Sequence, residues 1–124
     1  MRKTLFLSFA LSLAGAAGLH AQSLKGTNWK LYMDELHDTL TLHIRGDSSY
    51  VTDGSGEVVV RSLCKINRDT ISLKDIDGKY VCPGHEGVYT YLFMADTLVL
   101  SLVNDPCDNR ANNINGARWV RAKD

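Results

Sequence analysis

Gly87-Val88-Tyr89-Thr90-Tyr91-Leu92-Phe93-Met94-Ala95-Asp96-Thr97-Leu98-Val99-Leu100-Ser101-Leu102 reads as two alternating runs joined by a tight turn at Ala95-Asp96. Tyr89, Tyr91 and Phe93 share one face of the first run. Leu98, Leu100 and Leu102 share one face of the second, with Ser101 opposite. A period of two is the mark of a strand with one buried face, and two such runs across a short turn make a hairpin.

The same period extends in both directions. Upstream, Ile71 and Leu73 alternate with Thr70, Ser72 and Lys74. Val58, Val60, Ser62, Cys64 and Ile66 form one face, and Val59, Arg61, Leu63 and Lys65 the other. Ser49 to Thr52 makes a short strand. Leu40, Leu42 and Ile44 alternate with Thr39, Thr41, His43 and Arg45, and Trp29, Leu31 and Met33 with Lys30 and Tyr32. Downstream, Trp119 sits in a last strand from Arg118 to Ala122. Turn residues separate the runs at Asp34-Glu35, Gly46-Asp47, Asp53-Gly54-Ser55-Gly56 and Asn67-Arg68-Asp69. Eight strands in hairpin succession predict an all-β fold, an eight-stranded antiparallel up-and-down barrel, because closure removes exposed edges. Two connections are longer. Residues 75–86 are expected to form a polar loop. Residues 104–116 are expected to hold a helical turn before the last strand, with Asp105 as its N-cap and Pro106 at its first position.

Residues 1–21 carry the parts of a secretory signal peptide: Arg2 and Lys3, an apolar run from Leu5 to Leu13, then small residues up to Ala21. Cleavage after Ala21 leaves one domain, 22–124. The apolar run is too short for a membrane span, and no Cys follows it to carry a lipid. Removing Arg2 and Lys3 from 14 basic residues leaves 12 against 14 acidic ones. That balance, with no basic stripe, argues against nucleic acid as a partner. The expected location is periplasmic or secreted. There two of the three cysteines, Cys64, Cys82 and Cys107, are expected to pair, and the residues alone leave all three pairings open.

Reactive constellations are not expected. His37, His43 and His85 lack metal-ligand spacing, and the lone Cys82-x-x-His85 has no second ligand pair, so neither metal nor cofactor is foreseen. Asp34, Glu35 and Asp38, like Asp75 and Asp77, read as solvated turn residues rather than an acid–base pair. No nucleophile elbow or phosphate loop occurs.

The second half resembles bacterial lipocalin-like domains of the calycin type. The resemblance rests on Cys82-Pro83-Gly84-x-x-Gly87-x-Tyr89-x-Tyr91, Asp96-Thr97-Leu98-x-Leu100, Asp105-x-Cys107-x-x-Arg110 and Trp119-x-Arg121. Gly26-Thr27-x-Trp29 is similar to the opening Gly-x-Trp of that family, with one residue extra. The resemblance implies a lipocalin-like barrel whose first and last strands are neighbours, with Trp29 under Arg121 or Arg118. It also implies a Cys82–Cys107 disulfide, which leaves Cys64 as a buried thiol. Trp29, Asp105, Arg110, Trp119 and Arg121 are then structural.

A non-enzymatic binding protein is therefore expected. Its first form is a peptidase inhibitor acting through barrel-end loops and an N-terminal segment, Gln22, Ser23, Leu24, Lys25 and Gly26. Small secreted bacterial inhibitors of metallopeptidases are similar in scale and fold, and in them a flexible N-terminal stretch enters the enzyme's cleft. The partner would be a secreted peptidase. The alternative is a lipocalin-like carrier of a small apolar molecule, with Tyr89, Tyr91, Phe93, Leu98, Leu100 and Leu102 lining the cavity.

Overall fold

A computed structural model describes residues 23–123; the expected signal peptide, residues 1–21, and Gln22 lie outside the described residues. The strands are β1 (Thr27–Met33), β2 (Asp38–Ile44), β3 (Ser48–Thr52), β4 (Val58–Asn67), β5 (Thr70–Asp77), β6 (Glu86–Met94), β7 (Thr97–Asn104) and β8 (Arg118–Arg121). One short helix, α1 (Asp108–Ile114), precedes β8. The eight strands form a closed barrel in sequence order, and every neighbouring pair is antiparallel. This is the expected up-and-down barrel, and it is consistent with a calycin-like fold.

Closure is made by β1 and β8, where Trp29 faces Arg121 and Lys30 faces Val120. The Arg121 guanidinium carbon lies 5.2 Å from the centre of the Trp29 ring, so Arg121 rather than Arg118 covers that tryptophan. Among the described residues no helix is long and apolar enough to cross a membrane.

Two sequence expectations need correction. The 75–86 loop is shorter, because β5 continues through Asp77. A bulge between Arg61 and Ser62 sets Arg61 against Asp77 and Ser62 against Asp75. Val59, on the face shared with Arg61, Leu63 and Lys65, is nonetheless fully buried. The 78–80 segment folds back on it: Gly78 adopts φ +124°, any Cβ there would strike the Val59 carbonyl, and Tyr80 N–H donates to that oxygen at 3.1 Å. Finally, the N-cap of α1 is Cys107, not Asp105. The Asp105 carboxylate does accept the Cys107 N–H at 2.9 Å, but its other bonds, described below, hold it outside the helix.

The core fills one end of the barrel. Leu24, Trp29, Ile44, Ile71, Tyr89, Leu98 and Leu100 are completely buried there. Phe93 packs against Trp29 with ring centres 5.7 Å apart, and Tyr91 meets Phe93 edge-on at 5.8 Å. Thr27 ties this end together. Its hydroxyl donates to the Leu24 carbonyl and accepts the Trp29 indole N–H at 2.7 Å. Gly26 N–H donates to the Ile44 carbonyl at 2.7 Å.

Candidate functional site

The opposite end of the barrel is not filled. It contains a cavity of about 570 Å³, within the usual range for small-molecule sites. Inward positions of β1 to β4 supply apolar wall: Leu31, Met33, Leu40, Val51 and Val60. Leu42, Leu73 and Trp119 belong both to the cavity lining and to the packed core, so they form its floor. Glu35, Leu36, Lys79 and Tyr80 are exposed residues at the rim. Helix α1 lies along one side and contributes Asn109, Arg110, Asn113 and Ile114.

The polar part of the wall is a buried charge cluster. Arg110 donates from Nε to Asp105 Oδ2 at 2.7 Å, and from Nη2 to Asp105 Oδ1 and the His85 carbonyl, both at 2.9 Å. Its Nη1 lies 3.2 Å from Asp75 Oδ1, close enough for an ion pair but not at the angle of a hydrogen bond. The side chains of Arg110, Asp75 and Asp105 are 8%, 5% and 0% exposed. Buried charges of this kind persist only when paired and hydrogen-bonded. The remaining acceptor capacity is used accordingly. Asp75 accepts the Ser62 hydroxyl at 2.7 Å and the Cys82 N–H at 2.9 Å, and Asp105 accepts the Tyr89 hydroxyl.

The Cys82–Cys107 disulfide brackets this cluster. Its Cα atoms are 6.3 Å apart, and each half-cystine's N–H binds one of the two carboxylates facing Arg110. Gly87 makes room on β6, since a Cβ there would collide with the Asp105 carboxylate. Burial works to raise the Asp105 pKa, but bonds from Arg110, Tyr89 and the Cys107 N–H outweigh it and hold the carboxyl below the ordinary range. Burial, and then the adjoining Asp105 carboxylate, push the Tyr89 phenol well above its usual value. Cys64 is a buried free thiol, pushed up to about 11 chiefly by burial. It therefore stays protonated and is a poor nucleophile.

The structure distributes the expected site residues unevenly. Cys82, Cys107, Asp105 and Arg110 converge as described, and Trp119 joins them at the cavity. None of Tyr89, Tyr91, Phe93, Leu98, Leu100 and Leu102 lines it. Tyr89, Leu98 and Leu100 are core, Tyr91 and Phe93 are half-buried against the core, and Leu102 is 41% exposed. Within the N-terminal segment, Ser23, Lys25 and Gly26 are exposed while Leu24 is fully buried.

Asp75 is the residue that sequence reasoning misplaced. It is a buried strand residue, not a solvated turn. The signal was present: Asp75 continues the inward phase of Ile71 and Leu73, and a carboxylate in that phase needs a buried cation. Among the described residues no three His, Cys, Asp or Glu side chains are grouped to hold a metal ion. Comparison with protein-family profiles, with curated proteins and with solved structures finds no match.

Proposed function

We propose that this protein is a non-enzymatic, lipocalin-like binder of a small, largely apolar molecule, held in the open end of the barrel. One observation carries the reading: a 570 Å³ cavity with apolar walls beneath an exposed rim. A barrel built only for surface recognition gains stability by filling its interior, because unfilled core space forgoes packing contacts. Here the filling stops at Leu42, Leu73 and Trp119. The leader-like residues 1–21 and the disulfide support a periplasmic or secreted location.

Peptidase inhibition through the N-terminal segment is the weaker reading. Leu24 is seated in the core and its carbonyl is held by Thr27, so that part of the segment is not a free arm.

The test is titration of the disulfide-intact 22–124 protein with the neutral fluorophore N-phenyl-1-naphthylamine, beside a Val60→Trp variant that blocks the cavity. Saturable binding at one site, weakened at least tenfold in the variant, supports the proposal. Absence of binding, or binding unchanged by Val60→Trp, overturns it.

A further inference from the structure

The two tryptophans of the described residues are treated differently by the fold. Trp29 Nε1–H is bonded to Thr27 Oγ1 at 2.7 Å. Among the described residues two buried side-chain polar atoms make no hydrogen bond: Trp119 Nε1, and Arg110 Nη1, which faces Asp75 Oδ1 at 3.2 Å only as an ion pair. Trp119 is 5% exposed and the Arg110 side chain 8%. Both residues line the same cavity. A buried donor left without a hydrogen bond is destabilising, and native proteins retain few of them without a reason.

The charges around these donors restrict what meets them. Arg110 carries one positive charge and already faces two carboxylates, Asp75 and Asp105. An incoming anion would add a third negative group to a poorly solvated cluster with one cation. Coulomb repulsion is strong at low dielectric, so an anionic head is disfavoured. An incoming cation would be drawn by the net negative charge of the cluster, but an ammonium has no lone pair with which to accept from Trp119 Nε1–H or Arg110 Nη1–H. An uncharged oxygen acceptor satisfies the donors without adding charge.

We propose that the cavity selects an uncharged apolar molecule bearing a carbonyl-type oxygen, with Trp119 Nε1–H and Arg110 Nη1–H as the donors that receive it. This rests on the small-molecule reading above and names the chemical class that reading leaves open. Trp119 and the apolar floor hold the body of the ligand, and its oxygen completes the polar wall.

The experiment displaces bound N-phenyl-1-naphthylamine with four matched compounds: hexanophenone, hexylbenzene, 6-phenylhexanoate and 6-phenylhexylammonium. Hexanophenone should displace the probe at about tenfold lower concentration than hexylbenzene, as one or two recovered hydrogen bonds imply, and ahead of both ions. Trp119→Phe should cut the ketone's advantage over the hydrocarbon several-fold, read as the ratio of the two displacement concentrations, because it removes the indole N–H and keeps an aromatic ring in the floor. A readout that needs no variant is the indole N–H resonance in ¹⁵N-labelled protein. Hexanophenone should shift the Trp119 signal and leave the Trp29 signal in place. Equal displacement by ketone and hydrocarbon, a preference for either ion, or an unmoved Trp119 resonance on ketone binding overturns the selectivity while the binding site stands. Failure of the fluorophore itself to bind overturns the small-molecule reading, and this inference with it.

Discussion

The two ends of the barrel solve the problem of an interior in opposite ways. At the closed end Leu24 is inserted from before β1, Trp29, Ile44, Ile71 and Leu98 are fully buried, and the indole N–H has its acceptor in Thr27. At the open end the same alternation of residues lines a cavity, and the polar groups are a guanidinium and two carboxylates braced by a disulfide. Apolar packing holds the first end. A charge network holds the second, and beside it the Trp119 indole N–H makes no hydrogen bond. Apolar packing and the buried charge network thus fall at different ends of one continuous sheet.

The largest effect is expected from Arg110→Met. It strands Asp75 and Asp105 in buried positions without their cation, and breaking such a pair costs about 3–5 kcal/mol. Urea unfolding at neutral pH measures this, and a loss below about 1 kcal/mol would mean that the open end does not depend on its charge cluster. A paired comparison comes next. Leu24→Ala removes a fully buried side chain and should cost about 2–5 kcal/mol, whereas Leu31→Ala, half-buried beside the cavity, should cost about 1 kcal/mol. Fluorophore affinity should respond in the reverse order, falling for Leu31→Ala and holding for Leu24→Ala. Equal costs would show the two ends to be packed alike.

The smallest effect is acid sensitivity. Asp105 has a depressed pKa in the folded protein, so its stabilisation is fully present above the ordinary aspartate value near 3.9 and is lost as pH falls through the depressed folded value. Both buried carboxylates described lie at the open end. Hydrogen exchange should therefore rise in β6 and α1 before it rises in β1 and β2 as pH is lowered below about 4. Asp105→Asn should flatten the pH dependence of the unfolding midpoint over that window. An unaltered slope would remove Asp105 from the account.

Much of this was legible in the residues. Period-two alternation located the strands, including the short β3, and the inward phase of β4 marked Cys64 as buried. The spacing that resembles calycins brought Cys82, Asp105, Cys107 and Arg110 into view together. What was misjudged shares one cause. Asp75 reads as a turn residue because Asp77-Gly78 follows it, yet its partner Arg110 is remote in sequence and reaches it only through the closed barrel. Tyr89, Tyr91 and Phe93 were correctly given one face, but a face does not say whether it meets packed neighbours or open space. Leu24 reads as part of a flexible, peptidase-binding N-terminal segment because nothing local reveals that it fills the end of the barrel.

Local pattern alone established which residues pair into strands, which faces turn inward and how many strands close the sheet, because side-chain alternation and turn chemistry act over a few residues. Only the tertiary structure decided where the inward faces meet and where they part. Register, bulges and the β1–β8 closure fix which inward positions lie at the same level of the barrel. At one level large side chains touch across the axis. At the other, smaller ones leave a gap, and residues far apart in the chain supply the charges that line it.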